Sequence, residues 1–337
     1  MKLLVLNVGS SSLKFGAYAD IGKEPRLLAE GVMADGEASP WHDVPSLHDL
    51  GTFDVVAHRI VHGGPWLRDH CLIDRQVVER IEAAADFAPL HVPAALRWIR
   101  RAQEAFPRAR QVACLDTAFH YPLPDLSRFF PLPYAWRALG IERFGFHGLS
   151  CESILHQLND VPSRLVIAHL GGGASLTALQ DGRSVDTSMG MTPAGGFMMG
   201  TRSGDIDPGI LLFLMRKHGM GLDELEHGLE RESGLRGLSN ESADIRELMR
   251  NGAKPLAELA VEHFARDIAR WSAAFAVVLG GLDTLIFTGG IGEHHAPTRD
   301  RVTALLRPCF PLVDIHVLPS QENHAMARHA MRLAAAL

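Results

Sequence analysis

The chain has 337 residues, 47% of them hydrophobic and 21% charged, a composition typical of a globular protein long enough for two domains. Its net charge of -6 and the lack of any basic run longer than two residues argue against a nucleic-acid-binding protein. The longest uncharged apolar stretch, 271–282, is too short to span a membrane, and the four cysteines lack C-x-x-C spacing, so we expect a cytoplasmic protein with free thiols and no zinc knuckle.

Two apolar strands each run into a turn of small residues and continue as a second strand. The first pair is 3–6 with 13–17, and the second pair is 165–168 with 176–179. Each pair predicts a β-hairpin whose tight turn exposes backbone N–H groups, as binding of a polyphosphate requires. Such turns usually only reverse the chain, but their repetition favours a nucleotide gripped by both.

The first half of the chain reads as an α/β domain. Residues 20–45 are polar and punctuated by Gly and Pro, which predicts irregular edge structure. The elements that follow are a strand at 53–57, helices at 75–86 and 93–105 with apolar spacing of three and four, and a strand at 111–115. Because ligands of α/β domains bind at the carboxyl ends of strands, the polar residues after these strands are candidates for a site.

The proline-rich segment 121–133 reads as a crossing between two domains, after which the pattern restarts. The predicted elements are the second hairpin, a loop at 186–208, helices near 209–217, 223–231, 243–250 and 255–279, and a buried strand at 283–288 that ends in a glycine pair. A last helix, 323–337, is expected to fold back onto the first domain. The predicted domains are therefore 1–120 completed by 323–337, and 121–322.

Arg59 and Arg202 are the cations most suited to chemistry, because each lies close to glycines near the end of an apolar or small-residue segment. A single arginine in such a place is about as often part of a surface salt bridge. Two of them suit a reaction that brings anions together, since guanidinium groups bind carboxylate and phosphate oxygens in bidentate fashion and stay charged.

Asn7, Asp116 and Glu322 are oxygen donors from three distant parts of the chain. Nucleotide-bound Mg²⁺ takes few protein ligands and several waters, so three such donors would suffice. Asp116 could instead cap a turn, and Glu322 could cap the start of a helix. The residues alone leave both interpretations open.

Eight segments of the chain, in one order from end to end, closely resemble the acetate kinase family. They are 7–14, 58–64, 88–91, 116–120, 144–148, 187–193, 200–204 and 287–293. The resemblance implies an α/β, duplicated, ribonuclease H-like fold of two domains, shared by actin, heat-shock chaperones and sugar kinases, with a nucleotide cleft between the domains.

The resemblance also implies roles for individual residues. Those implied at the metal and the reacting groups are Asn7, Asp116 and Glu322 for Mg²⁺ or Mn²⁺, Arg59 and Arg202 for the substrate carboxylate and the phosphoryl group, and His147 as a donor to that group. Those implied for the nucleotide are Lys14, His169, Gly171, Gly172, Gly173, Asp244, Ile245, Arg246, Gly290 and Ile291. Those implied for the acyl pocket are Val61, Leu90, Phe146 and Pro193, with His91 beside them.

The implied reaction is reversible, direct in-line transfer of the ATP γ-phosphoryl group to acetate, giving acetyl phosphate and ADP, in an enzyme expected to be a homodimer. A carboxylate is ionised at neutral pH and needs no general base. Alternatives are a propionate or butyrate kinase, which the Gly171–Gly173 turn mildly favours, and a non-catalytic nucleotide-binding regulator with the same fold.

This sequence departs from the family pattern at several positions. Gly172 and His294 stand where Asn is typical, and 194–196 lacks the usual acidic residue. The chain is also shorter than most relatives, mainly before Phe53. We expect activity with altered preference for the acyl group or the phosphate donor.

Overall fold

The computed structural model describes residues 1–9, 12–22, 24–34, 50–250 and 254–335. The chain forms two compact units: unit 1 contains 1–121, 146–156 and 321–337, and unit 2 contains 122–145 and 157–320. The domain limits drawn from the sequence stay a prediction. They did not assign 146–156 to the first domain.

Each unit is built on one mixed sheet. The strands of unit 1 are β1 Lys2–Val8, β2 Ser12–Asp20, β3 Pro25–Ala34, β4 Val55–Ile60, β5 Cys71–Leu72 and β6 Arg110–Leu115. The strands of unit 2 are β7 Arg164–Leu170, β8 Ala174–Gln180, β9 Arg183–Thr187, β10 Thr284–Thr288 and β11 Asp314–Val317. Both predicted hairpins are confirmed, because β1 pairs antiparallel with β2 and β7 pairs antiparallel with β8.

The helices, in chain order, are α1 Arg75–Ala83, α2 Val92–Ala105, α3 Asp125–Arg128, α4 Gly148–Gln157, α5 Pro208–Phe213, α6 Leu222–Arg231, α7 Gly234–Ser239, α8 Ile245–Arg250, α9 Pro255–Leu279, α10 Gly289–His294, α11 Ala296–Leu306 and α12 Glu322–Ala335. Short 3-10 turns lie at Ala85–Phe87, Ala118–His120 and Tyr134–Leu139. Within the part of the chain that the structure describes, no helix has the length and apolarity needed to cross a bilayer.

The two sheets repeat one topology. Unit 1 has the strand order β3-β2-β1-β4-β6-β5, and unit 2 has the order β9-β8-β7-β10-β11. In each, an antiparallel three-stranded meander is followed by two strands parallel to its first strand. Parallel strands present their carboxyl ends at one sheet edge, so β1, β4 and β6 deliver the residues that follow them to a common place.

In unit 1 the central strand β1 is buried because helices cover both faces of the sheet. Successive side chains of a strand point to opposite faces. Leu4 and Leu6 accordingly pack with Trp98 of α2, while Leu3 and Val5 join a second cluster that contains Leu149 of α4 and Met326, Ala327 and Ala330 of α12. The C-terminal helix α12 therefore supplies one layer of this core.

The prediction of irregular structure for 20–45 is wrong for 25–34, which form β3 at the sheet edge, paired along its length with β2. Gly31 is not a turn residue. A Cβ atom there would lie 2.6 Å from Cζ of Phe15, so glycine admits the phenylalanine ring. The remainder of that prediction, 35–45, lies outside the described residues.

Two histidines of unit 1, His58 and His120, are buried and form hydrogen bonds with uncharged groups. His58 Nε2 donates to Oε1 of Gln111 at 2.7 Å, and His120 Nε2 donates to the carbonyl of Phe146 at 2.9 Å. Burial lowers the pKa of each imidazole from 6.5 to about 4, although these hydrogen bonds act in the opposite direction. Protonation therefore favours the unfolded chain.

We predict that the free energy of unfolding is greatest above pH 6.5 and falls towards pH 4. Because the folded pKa lies below the unfolded pKa, each histidine costs on the order of 1 kcal/mol per pH unit in that interval. Denaturant midpoints of the wild type and His58→Gln, measured at pH 7.5 and 5.5, should show a smaller fall in the variant. The exposed His218→Gln serves as the control, and equal falls in all three proteins would contradict the prediction.

Candidate active site

Four predicted site residues of unit 1 meet at the carboxyl edge of its sheet. Asn7 is near the end of β1, Arg59 is near the end of β4, Asp116 follows β6, and Glu322 begins α12. The parallel registers of β1 with β4 and of β4 with β6 align the first three. Glu322 joins them because α12 packs on these strands.

Arg59 is the centre of this group. Its Nε donates to Oδ1 of Asp116 at 3.0 Å, and its Nη2 donates to Oδ2 at 2.6 Å. Its Nη1 donates to Oδ1 of Asn7 at 3.1 Å and lies 3.8 Å from Oε2 of Glu322. Asn7 Nδ2 in turn donates to Oε2 of Glu322 at 3.0 Å. One guanidinium thus organises three oxygen donors.

The group combines burial with a surplus of negative charge. Asp116 is 1% exposed, and burial raises the pKa of its carboxyl group while Arg59 opposes that shift. Burial alone would lower the pKa of Arg59, but the charges of Asp116 and Glu322 raise it above its ordinary value. Two carboxylates against one cation leave oxygen donors of the kind that hold a hard divalent cation.

His147 is held next to Asp116 by an unusual backbone. It has φ of 59°, a left-handed conformation that costs a residue other than glycine of order 1–3 kcal/mol. The following Gly148 N–H donates to the carbonyl of Asp116 at 2.9 Å, and a Cβ at Gly148 would lie 2.4 Å from that oxygen. The predicted phosphoryl donor and the predicted metal ligand are therefore joined by one close backbone contact.

The predicted acyl-pocket residues of unit 1 lie around an aromatic cluster. Val61 and Phe146 are buried, whereas Leu90 and His91 are half-buried at the start of α2. The ring of His62 lies 5.4 Å from that of Phe146 and 4.9 Å from that of Phe87. Sequence reasoning assigned His62 no role. Its position beside Val61 was visible, but its packing against Phe146 depends on the fold.

In unit 2 the predicted phosphate turn lies against other glycine segments. The turn closes with a hydrogen bond from Gly171 N to the carbonyl of Gly173 at 3.0 Å. A Cβ at Gly171 would lie 4.0 Å from the backbone nitrogen of Gly290 and 3.7 Å from Nε2 of His169, and one at Gly200 would lie 3.6 Å from the carbonyl oxygen of Gly172. Backbone therefore converges here with few side chains between.

The predicted adenosine residues lie close to this turn. A Cβ at Gly200 would also lie 3.3 Å from the carbonyl of Ala243, which precedes Asp244. Asp244 accepts a 2.6 Å hydrogen bond from Arg246, and this bond lowers the pKa of its carboxyl group to about 2. Ile245, which lies between Asp244 and Arg246 in the sequence, is buried. Ile291 on α10 is half-buried.

Glu293 ends the family-like segment 287–293, and the sequence predicts no role for it. Its Oε1 accepts hydrogen bonds from Gly289 N and Ser320 N, both at 2.9 Å. It thereby fixes the start of α10, where Gly290 lies. A glutamate four residues after a glycine is a weak signal in a sequence, and the contact with Ser320 spans 27 residues.

The remaining predicted residues are Lys14 in unit 1 and Arg202 and Pro193 in unit 2. Lys14 is exposed on β2, directly opposite Asn7 in the ladder. Arg202 of unit 2 donates from Nη1 to the carbonyl of Pro193 at 3.2 Å, so the second predicted arginine contacts a predicted pocket residue.

A sequence model of the Acetokinase family matches residues 42–314. The acetate kinase of Geobacillus kaustophilus is 35% identical, with 99% of each chain covered. Among solved structures, a propionate kinase from Francisella tularensis has a TM-score of 0.86 at 31% identity, covering 98% of this chain and 99% of that one. An acetate kinase from Porphyromonas gingivalis has a TM-score of 0.81 at 31% identity, with 99% of each chain covered.

This chain belongs to the acetokinase family. Membership confirms the resemblance read from the eight segments and, with the duplicated sheets, the fold predicted from it. The roles of individual residues within this acetokinase stay predictions.

We predict that Gly148→Ala lowers the free energy of unfolding by about 1–3 kcal/mol, as overpacking does. The added methyl would meet the backbone oxygen of Asp116 at 2.4 Å, and backbone yields less readily than a side chain. Gly228→Ala in α6 is the control, because no atom lies within 4 Å of its Cβ position. Equal denaturation midpoints for the two variants would show that Gly148 does not fix this approach.

Proposed function

We propose that the protein is an acetate kinase that transfers the γ-phosphoryl group of ATP to acetate in a reversible, Mg²⁺-dependent reaction. Family membership and the cluster of Asn7, Arg59, Asp116 and Glu322 support this proposal. The cluster is the deciding observation, since a protein that only sensed nucleotide would not need a buried guanidinium among oxygen donors.

Asn7, Asp116 and Glu322 are the proposed ligands of Mg²⁺ or Mn²⁺. Their donor atoms are all oxygen, as a hard cation prefers, and their number suits an ion that keeps several waters. Asp116 already accepts hydrogen bonds from Arg59. Because a carboxylate has about four lone-pair positions, it can still bind a metal ion. When bound, the metal ion neutralises charge on the nucleotide phosphates.

The proposed step forms a bond between an acetate oxygen and the γ-phosphorus. The bond from that phosphorus to the β-phosphate oxygen breaks, and ADP leaves with the electron pair. Arg59, Arg202 and His147 are proposed to bind the carboxylate and the charged phosphoryl oxygens, since phosphoryl transfer depends on positioning and charge stabilisation. An acyl phosphate is the more reactive donor, which favours the ATP-forming direction.

The nucleotide is proposed to bind unit 2. The 171–173 turn offers backbone N–H groups to the phosphates, and Gly290 leaves open space for a ligand beside it. Asp244, Ile245, Arg246 and Ile291 are proposed adenosine contacts, with His169 near the phosphates. Lys14, which lies in unit 1, is proposed separately as a phosphate-binding residue. ATP and ADP are co-substrates in this proposal, which also fits a cytoplasmic location.

The similarity to a solved propionate kinase supports a second candidate substrate. Selectivity depends on the pocket proposed to be formed with Val61, Leu90, His91, Phe146 and Pro193. One methylene changes binding in such a pocket by only about 1–3 kcal/mol, so a graded preference is expected. Comparing kcat/KM for acetate and propionate in the same assay ranks the two substrates.

A homodimer through unit 2 is also proposed. Large apolar side chains are exposed close together on α5 and on the π-helical segment Leu214–His218 that follows it, namely Ile210, Leu212, Phe213 and Met215. A run of exposed apolar residues marks an interaction surface. Their place in unit 2 agrees with the dimerisation role predicted for the second domain.

We predict that Arg202→Ala lowers kcat/KM for acetate roughly 100- to 1,000-fold, the effect of removing one group that stabilises transition-state charge. The measurement is hydroxamate formation from acetate, ATP, Mg²⁺ and hydroxylamine. Arg202→Lys should recover part of the loss, because it keeps the charge without the bidentate geometry.

Arg100→Ala is the matched control, since Arg100 is exposed and pairs with Glu82. It should behave as the wild type. If the wild-type protein forms hydroxamate no faster than Arg202→Ala, the acetate kinase proposal fails and the non-catalytic regulator becomes the better reading.

We predict that Gly172→Asn lowers the KM for ATP roughly fivefold, because a new side-chain hydrogen bond contributes about 1 kcal/mol. The site has room, since no atom lies within 4 Å of a Cβ at Gly172. Gly221→Asn, which has equal space at the start of α6, should leave the KM unchanged. An unchanged KM in Gly172→Asn would mean that Gly172 lies away from the bound phosphates.

A further inference from the structure

Unit 1 contains a His–Glu–His cluster, made of His70, Glu152 and His329, to which no role has been assigned. Glu152 Oε2 accepts from Nε2 of His329 at 2.6 Å, and Oε1 lies 3.5 Å from Nε2 of His70. The two imidazole rings lie with their centroids 3.8 Å apart and their planes tilted by 40°. One carboxylate is thus held by two histidines from separate parts of the chain.

The hydrogen bonds on the far sides of both rings fix their tautomers. The backbone N–H of Leu115 donates to Nδ1 of His70 at 3.0 Å, and Arg332 Nη2 donates to Nδ1 of His329 at 3.3 Å. With each Nδ1 an acceptor, a neutral imidazole carries its proton on Nε2, facing Glu152. A metal ion on Nε2 would require the proton on Nδ1, where Leu115 already donates, so the cluster is not arranged as a metal site.

Glu152 is ionised in this setting. Burial alone would raise the pKa of its carboxyl group, but the hydrogen bonds from His329 and His70 lower it to about 2. A half-buried carboxylate whose two oxygens both contact histidines resists displacement, because moving it would leave its charge without these partners.

Each member of the cluster is linked to a segment next to, or containing, a proposed site residue. His70 holds the N–H of Leu115, the residue before Asp116. Glu152 lies one helical turn after Gly148, at the start of α4 beside His147. His329 lies seven residues after Glu322, two turns along the same face of α12.

We propose that Glu152 is a positioning residue that locks β6, α4 and α12 to one another and so sets the spacing of Asp116 and Glu322 for a divalent cation. This inference rests on the proposed function of that cation site. Glu152 itself touches neither metal nor substrate; it acts through His70 on the end of β6 and through His329 on α12.

The test compares Glu152→Gln with Glu79→Gln, a matched change at an exposed ion pair with Arg75 on α1. Mn²⁺ affinity is measured in the presence of ADP from the loss of the free-ion electron paramagnetic resonance signal. Amide hydrogen exchange of Leu115 reports on the contact with His70. Glu152→Gln should weaken Mn²⁺ binding about five- to tenfold and speed Leu115 exchange at least tenfold, while Glu79→Gln changes neither.

Unaltered Mn²⁺ affinity in Glu152→Gln would overturn the proposal, whether or not exchange at Leu115 becomes faster. If exchange at Leu115 became faster while Mn²⁺ affinity stayed the same, the cluster would stabilise its surroundings without setting the geometry of the cation site. Since neither readout needs turnover, a wild type that binds Mn²⁺ but forms no acetyl phosphate would refute the acetate kinase proposal and leave this one standing.

A second pair of variants guards against misfolding of Glu152→Gln. His329→Ala removes the donor to Glu152, whereas His329→Gln keeps an N–H in its place. Weaker Mn²⁺ binding in His329→Ala, with at least partial recovery in His329→Gln, supports positioning. Equal loss in both variants, with unchanged circular dichroism, would contradict it, because the hydrogen bond would then be irrelevant.

Discussion

The pairing of Arg59 with Asp116 is the interaction on which the site of unit 1 depends. A carboxylate that is 1% exposed is costly to bury, and the two hydrogen bonds from Arg59 offset that cost. Replacing the ion pair by a hydrophobic pair of equal volume would leave the folded state equally stable or more stable. The ion pair instead keeps a charged oxygen donor and a guanidinium at fixed positions, as the proposed binding of anions and a metal ion would require.

The fold explains why this pairing is possible. Parallel strands bring Arg59 and Asp116 to one sheet edge although 57 residues separate them, and the C-terminal helix brings Glu322 from 315 residues beyond Asn7. The second sheet repeats the topology but presents glycine backbone at the end of its hairpin. The two sheets therefore end differently: one presents charged side chains and the other presents glycine backbone, and both are groups that can bind anions.

The sequence predicted the features that depend on local pattern. Both hairpins, the helices α1 and α2, and the polar ends of β4 and β6 follow from periodicity and strand punctuation, and Arg59 and Asp116 were found this way. It failed at β3, because an edge strand has little apolar alternation and Gly31 resembled a turn residue. It also gave no sign of the contact between His70 and Leu115 or between Glu152 and His329, since both join segments distant in sequence. Both contacts depend on how distant segments of the chain pack together, which the local sequence pattern does not reveal.

Glycines illustrate the difference between these two kinds of information. Gly31 and Gly148 are required by packing, because a Cβ atom would collide with Phe15 or with the carbonyl of Asp116. Gly172 and Gly290 have no atom within 4 Å of a Cβ position, so nothing in the fold itself requires glycine there. A glycine that packing does not demand either serves a turn or leaves space for something outside the chain. Neither residue has a positive φ. The φ angle therefore does not require glycine at either position, and the proposed nucleotide contacts of Gly172 and Gly290 would account for their small size.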